Sequence, residues 1–271
     1  MAAEPNQSVE RAAALLRAIA ADHREMRASD IAKAAGLGLS TASRLLATLE
    51  ALELVERDPA AATYRLGPLA LTIGGAATNQ SAIYREARQH MQNLAAALGL
   101  GVNLAQRRDD RLQYLFNVDG PLAPRSFTLT GQGNPLHATG LGKCLLAGLD
   151  AAERRALLPD ASLTAFTPHT LTGHDRLDAD ITTALARGYA TEVEELALGR
   201  ACVAAPVRDR DNAVVAAVSV SGPLSAIDLG SRRDELGRAV LELADTISTA
   251  LGYRAVALPA EALAAIPDDP G

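Results

Sequence analysis

The stretch from Ala28 to Leu66 constrains the fold more than any other. "SDIAKAAG" reads as a short helix that Ser29 caps and Gly36 ends in the left-handed conformation. After a short turn, "LSTASRLLATLEAL" carries apolar residues at helical spacing from about Ser40 to Leu52. "LVERDPAAATYRLG" then sets two short extended runs around Asp58-Pro59-Ala60-Ala61, a hairpin signal. Ahead of all this, residues 8–21, "SVERAAALLRAIAA", form a further helix with Ser8 as its cap. Helix, helix, turn, helix, hairpin is the order of a winged helix-turn-helix, expected over residues 1–67.

The helix that starts near Ser40 has two faces. Leu45, Leu46 and Leu49 are expected in the core. Ser40, Thr41, Ser43 and Arg44 fall on or near the other side, where short side chains let the backbone approach a DNA groove. Hydroxyls there can bond phosphates or base edges, and a helix N-terminus attracts phosphate. The same pattern taken alone fits an ordinary amphipathic helix with a serine cap. The neighbouring elements turn the balance toward DNA. Charge works against it: the formal net charge is −6, and residues 1–66 hold eight Arg/Lys against nine Asp/Glu. Any DNA-binding face must be a local patch.

Pro68 suits the first turn of another helix, a linker over residues 68–80, and residues 81–98 continue helically. This connector has too many apolar positions for a lone exposed segment. Its apolar face is expected to pack on the same segment of a second subunit. Beyond residue 100, "VNLAQRR", "LQYLFNV", "RSFTLT", "ACVAAPVRD" and "AVVAAVSVSG" read as strands, with a turn at Asp209–Asn212. "DRLDADITTALARG" is an amphipathic helix ended by Gly188, and "SRRDELGRAVLELADTISTALGY" is a long closing helix. Strands mixed with helices predict an α+β domain on one central sheet over residues 81–255, with a mobile tail over 256–271.

"HATGLGKCLLAGL" reads as a helix opened by a glycine-rich turn. Gly140 and Leu141 there offer backbone N–H groups to an anion, favoured by the helix dipole. The alternative is a helix start whose glycines serve close packing. The motif is not a phosphate loop.

Several of these segments resemble the IclR-type transcriptional regulators. They are "SVERAAALLRAIA", "DIAKAAGLGLSTASRLLATLEALELVERD", "YRLGPLAL", "PLHATGLGKCLLAGL", "ARGYATEVEELALGRACVAAPVRD" and "VVAAVSVSGP". The resemblance runs in order from residue 8 to about 251. It implies a winged helix-turn-helix, a linker helix and a GAF-like effector-binding domain, assembled as dimers or dimers of dimers. Arg24, Arg27, Lys33, Arg57 and Arg65 then join Arg44 as candidate DNA contacts. The resemblance also implies a pocket for a small organic acid, bounded by the Gly140–Leu141 turn, Glu192, Cys202 and the Ser219/Ser221 pair. Residues i and i+2 of a strand share a face, so both serines can meet one ligand. This chain departs from the family pattern at several positions. Gly38 and Leu39 stand where proline and a basic residue are common. Leu141 stands at a small-residue position and Asn134 at an apolar one, and Glu192 replaces an aspartate.

Composition narrows the field further. Apolar residues are 48% and charged residues 21%, enough for a real core. Aromatic residues are 3%, too few for a base-stacking surface along single strands. No apolar run is long enough to span a bilayer, and no signal peptide is legible. A cytoplasmic protein with reduced thiols at Cys144 and Cys202 is expected. Cys202, His137 and Glu192 could form a nucleophile, base and orienter, yet Cys202 lies in a strand with no sign of activation. It also fits as a small buried apolar residue. Neither catalysis nor a cofactor is expected, and no metal site is predicted; His137 is expected to set the helix N-terminus. The expectation is a regulator that binds double-stranded operator DNA and answers a small carboxylate effector. The alternative is a small-molecule hydrolase or sensor with a vestigial helix-turn-helix.

Overall fold

Asn6 starts the first helix. Its side chain accepts hydrogen bonds from Ser8 N and Val9 N at the head of α1 (Gln7–Ala21), so Ser8 lies inside the first turn instead of capping it. The computed structural model describes residues 6–22, 24–122 and 130–254. The chain divides into two units, Met1–Ser81 and Ala82–Gly271.

In the first unit, strand β1 (Met26–Arg27) leads into α2 (Ala28–Ala34). Arg27 occupies the cap position without a side-chain bond, and Ser29, expected there, is already helical. Gly36 ends the helix at φ +66°. Its N–H donates to Lys33 O at 3.2 Å, and Leu37 N–H donates to Ala32 O at 2.9 Å, a Schellman closure. The next helix, α3, runs over Leu39–Ala51. Strands β2 (Val55–Asp58) and β3 (Thr63–Leu66) form the hairpin, and Asp58 Oδ1 accepts from Ala60 N and Ala61 N in its turn. Two-residue β1 was not legible as a strand, and it pairs with β3 to complete a three-stranded sheet ordered β1-β3-β2. Leu15, Ile19, Ile31, Leu46, Leu49, Val55 and Tyr64 close the core of this unit.

Pro68 opens α4 (Pro68–Gln80), which buries none of its residues; Leu71 is 79% exposed and Ile73 54%. Ser81 is extended (φ −72°, ψ 116°), so the expected continuous helical run is broken there. The following helix, α5 (Ala82–Leu98), buries Ala87, Met91 and Ala95 against its own unit's core. Its apolar face is therefore covered within the chain, contrary to the expectation that the whole connector packs on a second subunit. The large apolar side chains Leu71 and Ile73 of α4 remain exposed.

The second unit is built on one antiparallel sheet. Its strands are β4 (Gly101–Arg108), β5 (Arg111–Val118), β6 (Gly133–Pro135), β7 (Ala190–Val193), β8 (Arg200–Arg208) and β9 (Val214–Pro223). Their spatial order is β6-β5-β4-β9-β8-β7. The α+β fold on a single sheet stands, with β6 and β7 as short additions. "RSFTLT", expected as a strand, lies outside the described residues except for Thr130, which sits in a turn, and the 256–271 tail lies outside them as well.

Helices α6 (Gly140–Leu146), α7 (Ala151–Leu157), α8 (His174–Arg187), α9 (Leu224–Ile227) and α10 (Arg233–Ala250) complete the unit. Period-two alternation sorts the sheet residues. Val218 and Val220 of β9, with Val203 and Val102, meet α5 and α10. Ala217, with Ala204 and Ala105, meets α6 and α8 through Leu141, Leu145, Leu177 and Ile181. Ser219 and Ser221 lie on this second face.

Candidate functional site

The first candidate surface is the outer side of α3. Ala42, Leu46 and Leu49 are buried, while Ser40, Ser43 and Arg44 are exposed and Thr41 is half-buried. Leu45, expected in the core, packs only at its edge. Gly38 precedes the helix and supplies no side-chain cap, which leaves the first N–H groups of α3 available to an acceptor. Arg27, Lys33, Arg44 and Arg57 are exposed and make no ion pair among the described residues; Arg57 lies 5.9 Å over the Tyr64 ring. Arg65 is held by Glu56 at 2.7 Å and Glu25 at 3.4 Å, and Arg24 by Asp22 at 3.6 Å. These two charges are partly spent within the protein. Glu25, Glu50, Glu53, Glu56 and Asp58 line one cleft beside the hairpin. Five of the nine acids of residues 1–66 thus gather in one place.

The second candidate is a cavity of about 290 Å³ on the α6 face of the sheet. Strand register builds it. Gly101, Ser221, Cys202 and Glu192 form one row across β4, β9, β8 and β7. Asn103, Ser219 and Ala204 form the next row. Asn103 Nδ2 donates to Ser219 Oγ at 3.3 Å and to Ser221 Oγ at 3.0 Å. Both serine oxygens are then occupied as acceptors. Among the described residues neither hydroxyl donates, so two O–H donors remain for the cavity. Asn134 donates to the Tyr114 hydroxyl at 3.1 Å, and both line the same cavity. Thr139, Leu141 and Leu196 add to the lining, and so does Arg200.

Asn134, Leu141, Glu192, Cys202, Ser219 and Ser221 thus line one space. Gly140 stands behind it. A Cβ at Gly140 would fall 2.8 Å from Cys202 Sγ, and one at Gly142 would fall 2.1 Å from Leu136 O. These glycines let α6 approach the sheet. Gly140 N–H turns to the Cys202 sulfur and Gly142 N–H to Thr139 Oγ1, which caps the helix. Gly140 is therefore not the amide donor expected from the sequence. Nor does His137 set the helix start: its Nε2 meets Thr164 O at 3.0 Å, and burial keeps its pKa below the usual histidine value.

Glu192 Oε1 accepts from Glu195 N at 2.6 Å and Leu196 N at 3.4 Å. Burial raises its carboxyl above the ordinary range, although these amides pull the other way. Burial pushes the Cys202 thiol well up, and Glu192 pushes it further. That is the opposite of an activated nucleophile. Sequence reasoning missed Asn103, Arg200 and Lys143. Lys143 is fully buried, with Nζ 2.5 Å from Glu195 Oε1 and 2.7 Å from Asp180 Oδ2. It ties α6 to α8 and to the loop after β7. Burial raises the Glu195 pKa to about 7; Lys143 pulls it down, while Glu192 and Asp180 add to the rise.

A helix-turn-helix unit with an exposed polar helix, joined to an α+β unit with a donor-lined cavity, defines a DNA-binding protein of the ligand-sensing class. Comparison with known proteins agrees. The family described as bacterial transcriptional regulator IclR C-terminal matches residues 75–249, and the IclR helix-turn-helix domain matches residues 8–59. The chain is 34% identical over 252 residues to the HTH-type transcriptional regulator XynR of Escherichia coli, covering 92% of this chain and 98% of that one. It is 36% identical over 247 residues to the glycerol operon regulatory protein of Streptomyces coelicolor, covering 91% and 96%. The crystal structure of an IclR regulator from Alicyclobacillus acidocaldarius superposes with a TM-score of 0.81 at 29% identity, over 92% of this chain and all of that one. The Thermotoga maritima IclR structure gives 0.75 at 26% identity, over 91% and 99%. The chain belongs to the IclR family of bacterial transcriptional regulators. No helix among the described residues is long and apolar enough to cross a membrane.

Proposed function

We propose that the chain is a cytoplasmic regulator whose operator binding is tuned by a small carboxylate. Residues 1–67 bind a palindromic operator as a dimer, or a dimer of dimers. Ser40, Thr41, Ser43 and Arg44 enter the major groove, and Arg24, Arg27, Lys33, Arg57 and Arg65 serve backbone contacts. Residues 81–255 hold the acid, and the 68–80 helix carries the coupling by shifting the population of two arrangements. The exposed Leu71 and Ile73 of α4 support self-association through that helix, and sedimentation as a monomer at micromolar concentration would count against it.

The observation that carries the effector reading is the Asn103 bond pair. One amide donates to both serine oxygens, and neither hydroxyl has an acceptor among the described residues, so two O–H donors stand at the cavity. A wall of donors selects an acceptor, and a carboxylate is a strong, charge-assisted one. Glu192 complements this by accepting from a ligand hydroxyl or by carrying its own proton. The test is salt-dependent retardation of duplex DNA from the flanking intergenic region, with and without a panel of small acids. Retardation that a panel acid alters supports the proposal. Hydrolysis of acyl substrates without DNA retardation would instead support the hydrolase alternative.

A further inference from the structure

Arg200 is the one charged side chain at the cavity besides Glu192, and the small-acid reading does not use it. It stands at the start of β8, opposite Pro223 in register. Two residues before Cys202, it shares that residue's face of the strand and lies one row beyond the Glu192–Cys202–Ser221 row. It is half-buried. Among the described residues its guanidinium makes no hydrogen bond or ion pair. Glu192, the nearest candidate by sequence row, forms no bridge to it and spends one oxygen on backbone amides.

An unpaired, half-buried guanidinium at a cavity that Leu141, Leu196, Ala197 and Ala201 also line has lost part of its water without gaining a partner. The two acceptor-seeking groups of the cavity also start from different rows of the sheet. Along the strands the Arg200 row lies about 6.6 Å from the Ser221 row, two residues of rise, and about 13 Å from the Ser219 row. A carboxylate seated at the Ser219 row lies two rows from Arg200, which leaves that guanidinium open to a second acceptor. We infer that the effector is a dicarboxylate of about four to six carbons, with one carboxylate on the Ser219/Ser221 hydroxyls and the second on the Arg200 guanidinium. The inference rests on the proposed acid site and adds its second contact. The cavity, about 290 Å³, holds the bulk share of about ten waters, which suits a molecule of this size.

The experiment is isothermal titration of the full chain with matched pairs: succinate against butyrate, glutarate against pentanoate, adipate against hexanoate, and the 2-oxo forms of each. At least one diacid should bind about 10- to 100-fold more tightly than its monoacid, the usual span for a charge-assisted pair. Arg200→Gln should reduce that diacid to the monoacid's affinity, and Arg200→Lys should keep part of the preference. Equal binding of diacid and monoacid, or an unchanged diacid affinity in Arg200→Gln, overturns the inference. If monoacids still bind and Ser219→Ala/Ser221→Ala abolishes that binding, the acid site itself survives. If no acid of either set binds, both readings fall.

Discussion

Glu192 and Cys202 face each other in register across β7 and β8, with Glu192 Oε2 lying 3.7 Å from Cys202 Sγ. Burial holds the Glu192 pKa up, although the thiol donates to the carboxylate and pulls the other way. A bound anion raises it further, so binding takes up a proton. Affinity for a fully ionised acid should increase as pH falls from above the raised Glu192 pKa to below it, by at most about tenfold per pH unit. Glu192→Gln should flatten the profile. Affinity that is constant over this range, or greater at the higher pH, would contradict the placement of the anion beside Glu192.

Stability carries a related signature. Glu195 binds its proton more tightly in the folded chain than in the unfolded one, with a folded pKa of about 7. Its contribution is full below the ordinary carboxylate range and is lost as pH rises through about 7. Denaturant midpoints of the wild type against Glu195→Gln, taken on both sides of that range, check the sign. The gap should change in favour of Gln as pH rises.

Gly36 isolates a backbone effect. It adopts φ +66°, and a Cβ built there meets nothing within 4 Å. Gly36→Ala should therefore cost about 1–2 kcal/mol by conformation alone. Thermal unfolding followed by helical signal should show a lower transition for the DNA-binding unit. An unchanged transition would mean that the helix does not end in a left-handed residue.

Arg44 is exposed in the first turns of α3, without an ion pair among the described residues. Arg44→Ala should weaken operator binding by about 1–3 kcal/mol if the side chain reads a base. Anisotropy titration on labelled operator, with circular dichroism for folding, gives the answer. Wild-type affinity would remove Arg44 from the reading surface.

The helical parts were legible because period alone reveals them: Ala42, Leu46 and Leu49 are buried while Ser43 and Arg44 are not. Caps were less so, since Asn6 and Ser8 are both good capping residues two positions apart, and only structure chooses. Strands β1 and β7 are too short to establish an alternation. Asn103 was hidden because its partners lie more than a hundred residues away, brought together by register. Arg200 did leave a trace. The same two-residue rule that joined Ser219 to Ser221 places it on the face of Cys202. Lys143 also left one, as the lone charge in "GLGKCLL".

The most direct measurement is operator affinity of the wild type and of Ser219→Ala/Ser221→Ala, each with and without an acid that shifts the wild type's thermal transition. The wild type should change its operator affinity in the presence of that acid. The double variant should bind operator yet give no change at the same acid concentration. A double variant that responds like the wild type would show that the effector binds elsewhere and that the Asn103-anchored hydroxyl pair is not its site.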